Sequence, residues 1–386
     1  MKFAFKITLV CLTLITFTSC TVAPPSEVID DINRKNSREK DDERNDEIKY
    51  DTLENIYDSI DEVLSQEYEN LKLHNSININ RPKELPVLDL EQVSNYDKKF
   101  DTIANALIHQ DRFNKKYIDY TPNTTPPGPE YKDTATGEHL GVGDNGFVYY
   151  EAPGFTMRSD TQLVKTVYLN DKDEIQKSYE LKDGVMKVSD AITKAEEFLE
   201  NTWQPISDDL PYIIDYINIC KLEDKYFYEI ALAKNYKDVY INNIFNLCKD
   251  IHLVCFENTI IIDSTENISN FAVTMGTAFV KEEVATEDKY VTLESALDMV
   301  RKKLAEYEIF DILSIQLRYA PKILREEEDD VDELMIRGDA GAKLEARPHW
   351  AFVLDMTPGY EKVIWIDAIT GEMRMMFNNV APEDRQ

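Results

Sequence analysis

Basic residues are scarce in this sequence. It has 43 Lys and Arg against 73 Asp and Glu, which gives a net charge of −30 at pH 7. Proteins that bind nucleic acid need a basic surface, because contacts with phosphate dominate their affinity. The same shortage disfavours a protein that lies flat on anionic lipid. We therefore expect no nucleic-acid partner, and an acidic surface that suits solubility or contact with cationic partners.

Cysteine is also rare, with five residues in the whole chain. Cys11 and Cys20 lie in the first twenty residues, and the others are Cys220, Cys248 and Cys255. Three later cysteines allow at most one disulfide among themselves, so this is not a disulfide-stabilised scaffold.

One cysteine cluster has several interpretations. Cys248, His252 and Cys255, with Cys220 as a fourth ligand, could hold zinc. The apolar residues of 251–256 are more typical of a buried strand, in which cysteine acts as a small apolar side chain. We favour burial, and a zinc site or one disulfide remain the alternatives.

Motifs of common enzymes are missing. The sequence has no glycine-rich phosphate loop, no His-Glu-x-x-His, no Gly-x-Ser-x-Gly and no zinc-ribbon spacing. His74, His109 and His139 have no chemical partners nearby in sequence. The acidic run 326–333 lacks the alternating oxygen ligands of a calcium loop, so we expect a solvated loop. We predict no catalytic, cofactor-binding or metal-binding residues.

The N-terminus has the pattern of an export signal. Lys2 and Lys6 precede the apolar run 7–17, which is shorter than the roughly 20 residues of a membrane-spanning helix. The sequence Phe17-Thr18-Ser19-Cys20 follows and resembles the lipobox of bacterial lipoproteins. The resemblance implies that residues 1–19 are a cleaved signal peptide. It also implies that lipid on the Cys20 thiol anchors the protein to the outer face of the cell membrane.

Residues 20–49 are rich in charge and poor in large apolar side chains. Such a segment cannot bury enough apolar surface to offset its ordering entropy. We expect a disordered acidic tether, and 30 flexible residues have a root-mean-square span of about 30 Å.

Residues 50–130 are expected to form a helical region that ends in a proline-rich hinge. Asp51-Thr52-Leu53-Glu54 has the pattern of a capping box, and an apolar stripe at helical spacing follows it. A second amphipathic pattern covers about 93–110, and prolines are concentrated in 121–129.

An internal duplication is the most informative feature of the remaining chain. Helical patterns begin near Val188 and Thr292, and three strand patterns follow each one. We align Tyr226-Phe227-Tyr228 with Trp350-Ala351-Phe352, and 239–242 with 364–367. This predicts a β-rich domain at 131–280 that contains the first helix-on-sheet unit (185–245), and a second unit within 281–380.

The second copy resembles the PepSY domain of secreted bacterial proteins. The resemblance lies in the helix after Val291-Thr292, in Trp350-Ala351-Phe352-Val353, and in residues 363–372, which end in Asp367-Ala-Ile-Thr-Gly-Glu. The whole arrangement is similar to uncharacterised lipoproteins of low-GC Gram-positive bacteria. It implies an α+β fold of two PepSY-like helix-on-antiparallel-sheet units, preceded by a helical region and extra strands. Such modules are associated with protease inhibition and with the regulation of sensor kinases.

The sequence Asp133-Thr-Ala-Thr-Gly-Glu repeats the ending at Asp367. Aspartate can accept hydrogen bonds from the backbone two residues on, and glycine supplies a positive φ. We predict turns at both places rather than metal or catalytic sites.

These observations favour a membrane-anchored, extracytoplasmic lipoprotein that acts as a non-catalytic binding or regulatory module with a protein partner at the cell surface. The alternatives are a receptor for a metal ion or small ligand, and a surface hydrolase that uses paired carboxylates.

Overall fold

A computed structural model describes most of the chain after residue 47. The described residues are 48–68, 70–74, 77–93, 95–108, 118–121, 128–143, 146–155, 161–207, 210–242, 244–245, 254–255, 258–273, 278–304, 310–323, 343–357 and 360–378. The predictions for residues 1–47, including the signal peptide and Cys20, and for the acidic run 326–333 lie outside these ranges.

The fold is α+β, and most of the regular structure is strand. The helices are α1 (Leu53–Leu64), α2 (Phe100–Leu107), α3 (Lys172–Ile175), α4 (Val188–Phe198) and α5 (Leu293–Lys303). The strands are β1 (Tyr50–Asp51), β2 (Leu71–Leu73), β3 (Val87–Gln92), β4 (Ile118–Thr121), β5 (Gly128–Lys132), β6 (His139–Val142), β7 (Val148–Glu151), β8 (Gln162–Tyr168), β9 (Ser178–Glu180), β10 (Val185–Lys187), β11 (Tyr212–Leu222), β12 (Lys225–Tyr236), β13 (Val239–Ile241), β14 (Ile244–Phe245), β15 (Val254–Cys255), β16 (Asn258–Ile262), β17 (Asn270–Val273), β18 (Ala278–Ala285), β19 (Tyr290–Val291), β20 (Phe310–Ile323), β21 (Lys343–Thr357), β22 (Tyr360–Asp367) and β23 (Met373–Asn378). In the part of the chain that the structure describes, no helix is both long enough and apolar enough to cross a membrane.

The first unit consists of α4 on an antiparallel sheet. Its strand order is β8-β11-β12-β16-β17-β7-β6-β5-β4. The inner face of the sheet, toward α4, carries alternating apolar residues such as Ile217, Ile219 and Ile230. Period-two alternation places these side chains on one face, where they meet Ala191 and Ala195 of α4. The opposite face is called the outer face below.

The second unit has the same plan. Helix α5 covers the antiparallel strands β20-β21-β22-β23. Thr292 caps the helix by accepting a 3.2 Å hydrogen bond from the Ser295 amide. Leu293, Ala296 and Val300 are fully buried against the sheet.

The two sheets are joined by β13. This strand forms a tight antiparallel hairpin with the end of β12, and it pairs in parallel with β20, where Tyr240 lies beside Arg318. Lys237 and Asp238 in the connecting turn both have positive φ values, 48° and 65°, as a two-residue type I′ hairpin requires.

The prediction of a separate helical region at 50–130 was wrong. The ranges described there hold helices α1 and α2, but also strands β2, β3, β4 and β5. Leu88 and Leu90 are buried at alternate positions of β3, as in a strand with one buried face. Pro86 precedes β3, and a proline disfavours helical geometry at the residue before it. The region also divides between two cores. Helix α1 packs into the core of the second unit, and α2 packs into that of the first.

The helices and the first two strands of the duplication were predicted correctly, but the alignment of the second and third strands was wrong. Residues 239–242 lie in and just after the β13 bridge. Strand β16 is the counterpart of β22. Tyr228 of β12 pairs with Ile262 of β16, just as Trp350 of β21 pairs with Ile366 of β22. Tyr228 therefore matches Trp350, two residues away from the predicted alignment. The first unit extends to β17, well beyond the predicted end at 245.

Two further features of the second unit concern its tryptophans and the residues before β1. Trp350 of β21 and Trp365 of β22 lie on neighbouring antiparallel strands and are 0% and 3% exposed, but they pack into different clusters on opposite faces of the sheet. The predicted tether was too long at its C-terminal end. Ile48 packs against the core of the second unit, and the Lys49 ammonium binds the Glu294 carboxylate at 2.9 Å.

Candidate functional site

The predicted turns at Asp133 and Asp367 are confirmed. The Asp133 carboxylate accepts a 2.8 Å hydrogen bond from the Ala135 amide, and Asp367 accepts a bond of the same length from the Ile369 amide. Gly137 and Gly371 follow with φ values of 79° and 77°. Both aspartates serve backbone turns, as the sequence pattern indicated.

The predicted cysteine cluster is only partly covered by the described residues. Cys220 is buried on the outer face of β11, with its sulfur 3.9 Å from a carboxylate oxygen of Glu229. Cys255 lies in β15, and Cys248 and His252 fall outside the described ranges. The burial predicted for the cysteines of this segment therefore stays a prediction.

A cluster of polar side chains lies on the outer face of the first sheet, at strands β5, β6 and β7. It consists of Glu130, His139, Tyr149 and Glu151, and we call it the histidine–glutamate cluster. Strand register brings these residues together. His139 of β6 lies directly opposite Glu151 of β7. Glu130 of β5 lies directly opposite Gly141, the next outer-face residue of β6 after His139. Neighbouring inner-face residues, Leu140 and Tyr150, point into the core.

His139 stands between two carboxylates. Its Nε2 forms a short hydrogen bond with Glu130, and its Nδ1 lies 3.8 Å from Glu151 Oε2. The Tyr149 hydroxyl donates to the other oxygen of Glu151, and the Tyr149 ring meets the imidazole edge-on with centroids 5.6 Å apart. The side chains of His139, Glu130 and Glu151 are 19%, 28% and 16% exposed, so solvent reaches the cluster.

Electrostatics favour the imidazolium form of His139. Burial by itself would lower the pKa of His139, but the hydrogen bonds and negative charges of Glu130 and Glu151 raise this pKa above its ordinary value. Burial and the Glu151 charge also raise the pKa of Tyr149, which stays a neutral hydrogen-bond donor. With both ring nitrogens facing carboxylates, His139 is arranged as a cation rather than as a general base.

Two further features lie beside the cluster. Asn270 of β17 sits directly opposite Glu151 and is fully buried. Neither its side-chain oxygen nor its side-chain nitrogen has a hydrogen-bond partner among the described atoms. Gly141 of β6 is the outer-face neighbour of both Glu130 and Tyr149, and a Cβ added to Gly141 would meet no atom within 4 Å.

A solved structure has a similar fold. It is the crystal structure, at 1.45 Å resolution, of an uncharacterized protein from Eubacterium rectale ATCC 33656. The two sequences are 14% identical, the match covers 84% of this chain and 99% of that chain, and the TM-score is 0.50. At this identity the similarity concerns the fold alone. No family model matches the chain, and no curated protein matches it.

Sequence reasoning missed the histidine–glutamate cluster. It found no chemical partner for His139 nearby in sequence, whereas His139 begins strand β6 and its partners come from the neighbouring strands. A signal was present in the alternation of β6, because His139 and Gly141 lie at positions opposite in phase to the buried Leu140 and Val142. Strand β7 gave no such signal, because Tyr149 is buried like its neighbours on both sides. Which strands are neighbours could not be read from this alternation.

The cluster is not shaped for a metal ion. Among the residues that the structure describes, no group of three or more His, Cys, Asp or Glu side chains is arranged to hold one. Glu130 and Glu151 lie on opposite edges of the His139 ring, so their oxygens do not converge on a single point with a ring nitrogen.

A second charged group holds the two units together. Arg318 of β20 donates two hydrogen bonds, of 2.6 and 2.5 Å, to the carboxylate of Asp215 in β11. Asp215 sits at a bulge between Ile214 and Tyr216, and Arg318 also lies over the Tyr240 ring at 5.1 Å. Both charged side chains are largely buried, at 6% and 11% exposed. This pair is engaged within the fold, and we assign it a structural role.

Proposed function

We propose that this protein is a membrane-anchored lipoprotein that works outside the cytoplasm as a non-catalytic binding or regulatory module. The observation that carries the proposal is the accessible histidine–glutamate cluster on a rigid sheet. Its charged groups bind one another in a fixed geometry, which suits recognition of a charged partner better than proton transfer. The lipobox-like Cys20 supports the anchor, and the predicted tether supports a role at some distance from the membrane.

The finer proposal is that the two helix-on-sheet units are PepSY-like. The shared order of helix and strands in both units supports it, as does the turn at Asp367. By analogy with such modules, the partner is a protein at the cell surface, such as a protease or a sensor kinase.

The localisation is tested with Cys20→Ser in the full chain. We expect the wild-type protein to enter the detergent phase in phase partitioning, and the variant to leave it, because the thiol is the site of acylation. Membrane association of the variant at the wild-type level would contradict the anchor.

The binding role is tested by proximity labelling on intact cells. Wild-type protein is compared with Glu130→Gln/Glu151→Gln, which removes both carboxylate charges of the cluster and keeps the side-chain shapes. We expect one dominant neighbour to be labelled by the wild type and to be reduced severalfold with the variant. Identical labelling by both proteins would show that the cluster is not the binding surface.

A further inference from the structure

Strand β18 (Ala278–Ala285) forms an exposed edge beside the second unit. Among the described residues it pairs with β3 alone, so its other edge has no neighbouring strand there. Every residue from 281 to 289 is exposed, which leaves most of β18 open to solvent on both faces. The amide and carbonyl groups on the outward side of such an edge are available to another strand.

We propose that this free edge is a dimer interface, at which β18 of a second copy of the chain adds as an antiparallel strand. The two-fold axis lies between Lys281 and Glu282. The proposal concerns self-association, so it goes beyond the binding role given above and does not depend on the histidine–glutamate cluster.

The sequence of β18 is complementary to its own reverse. An axis between Lys281 and Glu282 puts each of these residues opposite the other one in the second copy, so two pairs of opposite charge form. The same axis puts Phe279 opposite Val284, and these two large apolar side chains are 40% and 58% exposed. Opposite charges and aromatic residues beside β-branched residues are favourable cross-strand pairs. Each pair occurs twice, as in any contact of this symmetry.

A bulge in β18 makes this register geometrically possible. Opposed residues of an antiparallel pair lie on the same side of the sheet, whereas residues three apart in a regular strand lie on opposite sides. The bulge between Val280 and Glu282 adds one residue, so that Val280 pairs with Leu90 of β3 and Glu283 pairs with Leu88. Leu88 and Leu90 both face the core of the second unit. Val280 and Glu283, which oppose each other about the proposed axis, therefore share one side.

The charges of β18 also select the partner. Charged side chains and bulges on an edge strand hinder pairing with an unrelated strand. A register shifted by two residues would put Glu282 opposite Glu283, and like charges directly opposite each other are destabilising. The edge therefore fits a second copy of itself in one register better than it fits other strands.

Contacts within the chain hold β18 in position. The Tyr236 hydroxyl donates a 2.9 Å hydrogen bond to the Glu283 carboxylate, and the Lys237 ammonium lies 2.5 Å from it. The Lys281 ammonium lies 3.6 Å from the Glu91 carboxylate on β3. An edge that is already ordered loses little conformational entropy when a second strand pairs with it.

The interface is small, so the dimer should be weak. Stable interfaces bury about 1,200–2,000 Å², and one pair of eight-residue strands lies at or below the lower end of this range. The net charge of −30 adds repulsion between copies, which salt screens. Confinement of the copies on a membrane, as proposed from Cys20, would raise their effective concentration.

The test is disulfide crosslinking between two full-length copies purified in mild detergent. One copy carries Phe279→Cys and the other carries Val284→Cys. They are mixed at about 100 μM, a concentration suited to a small interface, and treated with a mild oxidant. In the proposed dimer the two introduced thiols are directly opposite each other. In Phe279→Cys alone, the thiols of two copies would be about 17 Å apart, five residues along the strand.

The charge variants are added to these copies. Lys281→Glu in both copies, or Glu282→Lys in both, puts like charges opposite each other. Lys281→Glu in one copy with Glu282→Lys in the other restores two opposite-charge pairs. Glu287→Lys is the matched control, because it changes the net charge as much as Glu282→Lys does but lies outside the strand. All these residues are exposed, and far-UV circular dichroism checks that the fold is kept.

We expect the mixed copies to crosslink and Phe279→Cys alone to do so severalfold less. Crosslinking should fall severalfold with like charges in both copies, recover with the complementary combination, and stay unchanged with Glu287→Lys. No crosslinking of the mixed copies, equal crosslinking of Phe279→Cys alone, or no effect of like charges would overturn the proposal. The purified chains are used, so failure here leaves the anchor and the binding role untouched.

Discussion

The indole nitrogen of Trp350 donates a 2.8 Å hydrogen bond to the backbone carbonyl of Val291. Val291 immediately precedes the cap of helix α5, so the bond ties the start of the helix to the middle of its sheet. In the first unit, the Tyr228 hydroxyl donates a 2.7 Å bond to the carbonyl of Met186, which immediately precedes the cap of α4. Different side chains thus make the same connection at matching positions of the two units.

The first prediction concerns these two bonds. Trp350→Phe and Tyr228→Phe keep an aromatic ring but remove the donor, and each leaves a buried carbonyl without its bond. We expect each change to lower the free energy of unfolding by about 1–3 kcal/mol, with Trp350→Phe at the upper end because it also loses volume. Urea denaturation measures the difference. Two variants as stable as the wild type would show that the bonds contribute nothing.

The second prediction compares the glycines of the two matching turns. Gly137→Ala and Gly371→Ala both force alanine into a left-handed conformation, which costs about 1–2 kcal/mol. At Gly371 the new Cβ would also lie 2.6 Å from the Ile48 side chain, whereas at Gly137 it would meet no atom within 4 Å. We therefore expect Gly371→Ala to be the more destabilising of the two in thermal unfolding. The double variant Gly371→Ala/Ile48→Ala should reduce that excess; equal losses at both glycines would refute the contact.

The third prediction concerns pH. The pKa of His139 is raised in the folded protein, so its contribution to stability is full below about pH 6.5, the unfolded value. That contribution is lost as the pH rises through the folded pKa. His349 is the reverse case, because burial lowers its pKa in the folded protein. The contribution of His349 to stability is present above about pH 6.5, the unfolded value, and is lost as the pH falls through the folded pKa.

The two histidines are separated by His139→Gln and His349→Gln, each compared with the wild type by urea denaturation between pH 5 and 9. The stability lost in His139→Gln should shrink toward high pH. The stability lost in His349→Gln should instead shrink toward low pH. The same trend in both variants would contradict the assignment of charge to His139.

The fourth prediction concerns the link between the units. Asp215→Ala leaves the buried Arg318 without its carboxylate, and breaking such a pair costs about 3–5 kcal/mol. Asp215→Ala/Arg318→Met removes both charges and should recover much of that loss, since replacing a buried ion pair by apolar groups often leaves the free energy of unfolding unchanged. Chemical denaturation of the single and double variants, followed with probes in each unit, measures this. A double variant no better than Asp215→Ala would mean that Arg318 is stabilised by other groups.

Local periodicity was enough to predict much of the fold. Helices α1 and α5 begin after capping threonines, and α4 begins where its apolar stripe placed it. The alternation in β11, β12, β20, β21 and β22 was correctly assigned to strands. The turns at Asp133 and Asp367 followed from the chemistry of four or five adjacent residues. In each case the decisive interactions are short-range in sequence.

Long-range pairing could not be predicted in the same way. The strand Val87–Gln92 is stabilised by β18 and β21, which lie far along the chain. The counterpart of β22 was misassigned because residues 239–242 and 260–263 both read as short apolar strands ending in a polar residue. Only the register with β12 distinguishes them. The histidine–glutamate cluster also depends on register, since its residues come from three strands.

Ile48 and Lys49 are bound to the second unit, so a force applied to the chain before Ile48 acts first on that unit. Any pull on the chain before Ile48 acts on the two residue pairs that join β1 to β19, Tyr50 with Val291 and Asp51 with Tyr290. Such a load reaches the second unit directly, next to the start of α5. Of the strand pairings that the structure describes, those of β13 alone carry it on to the first unit and its histidine–glutamate cluster. Within this network of strand pairings, one short strand therefore lies between the point of load and the cluster.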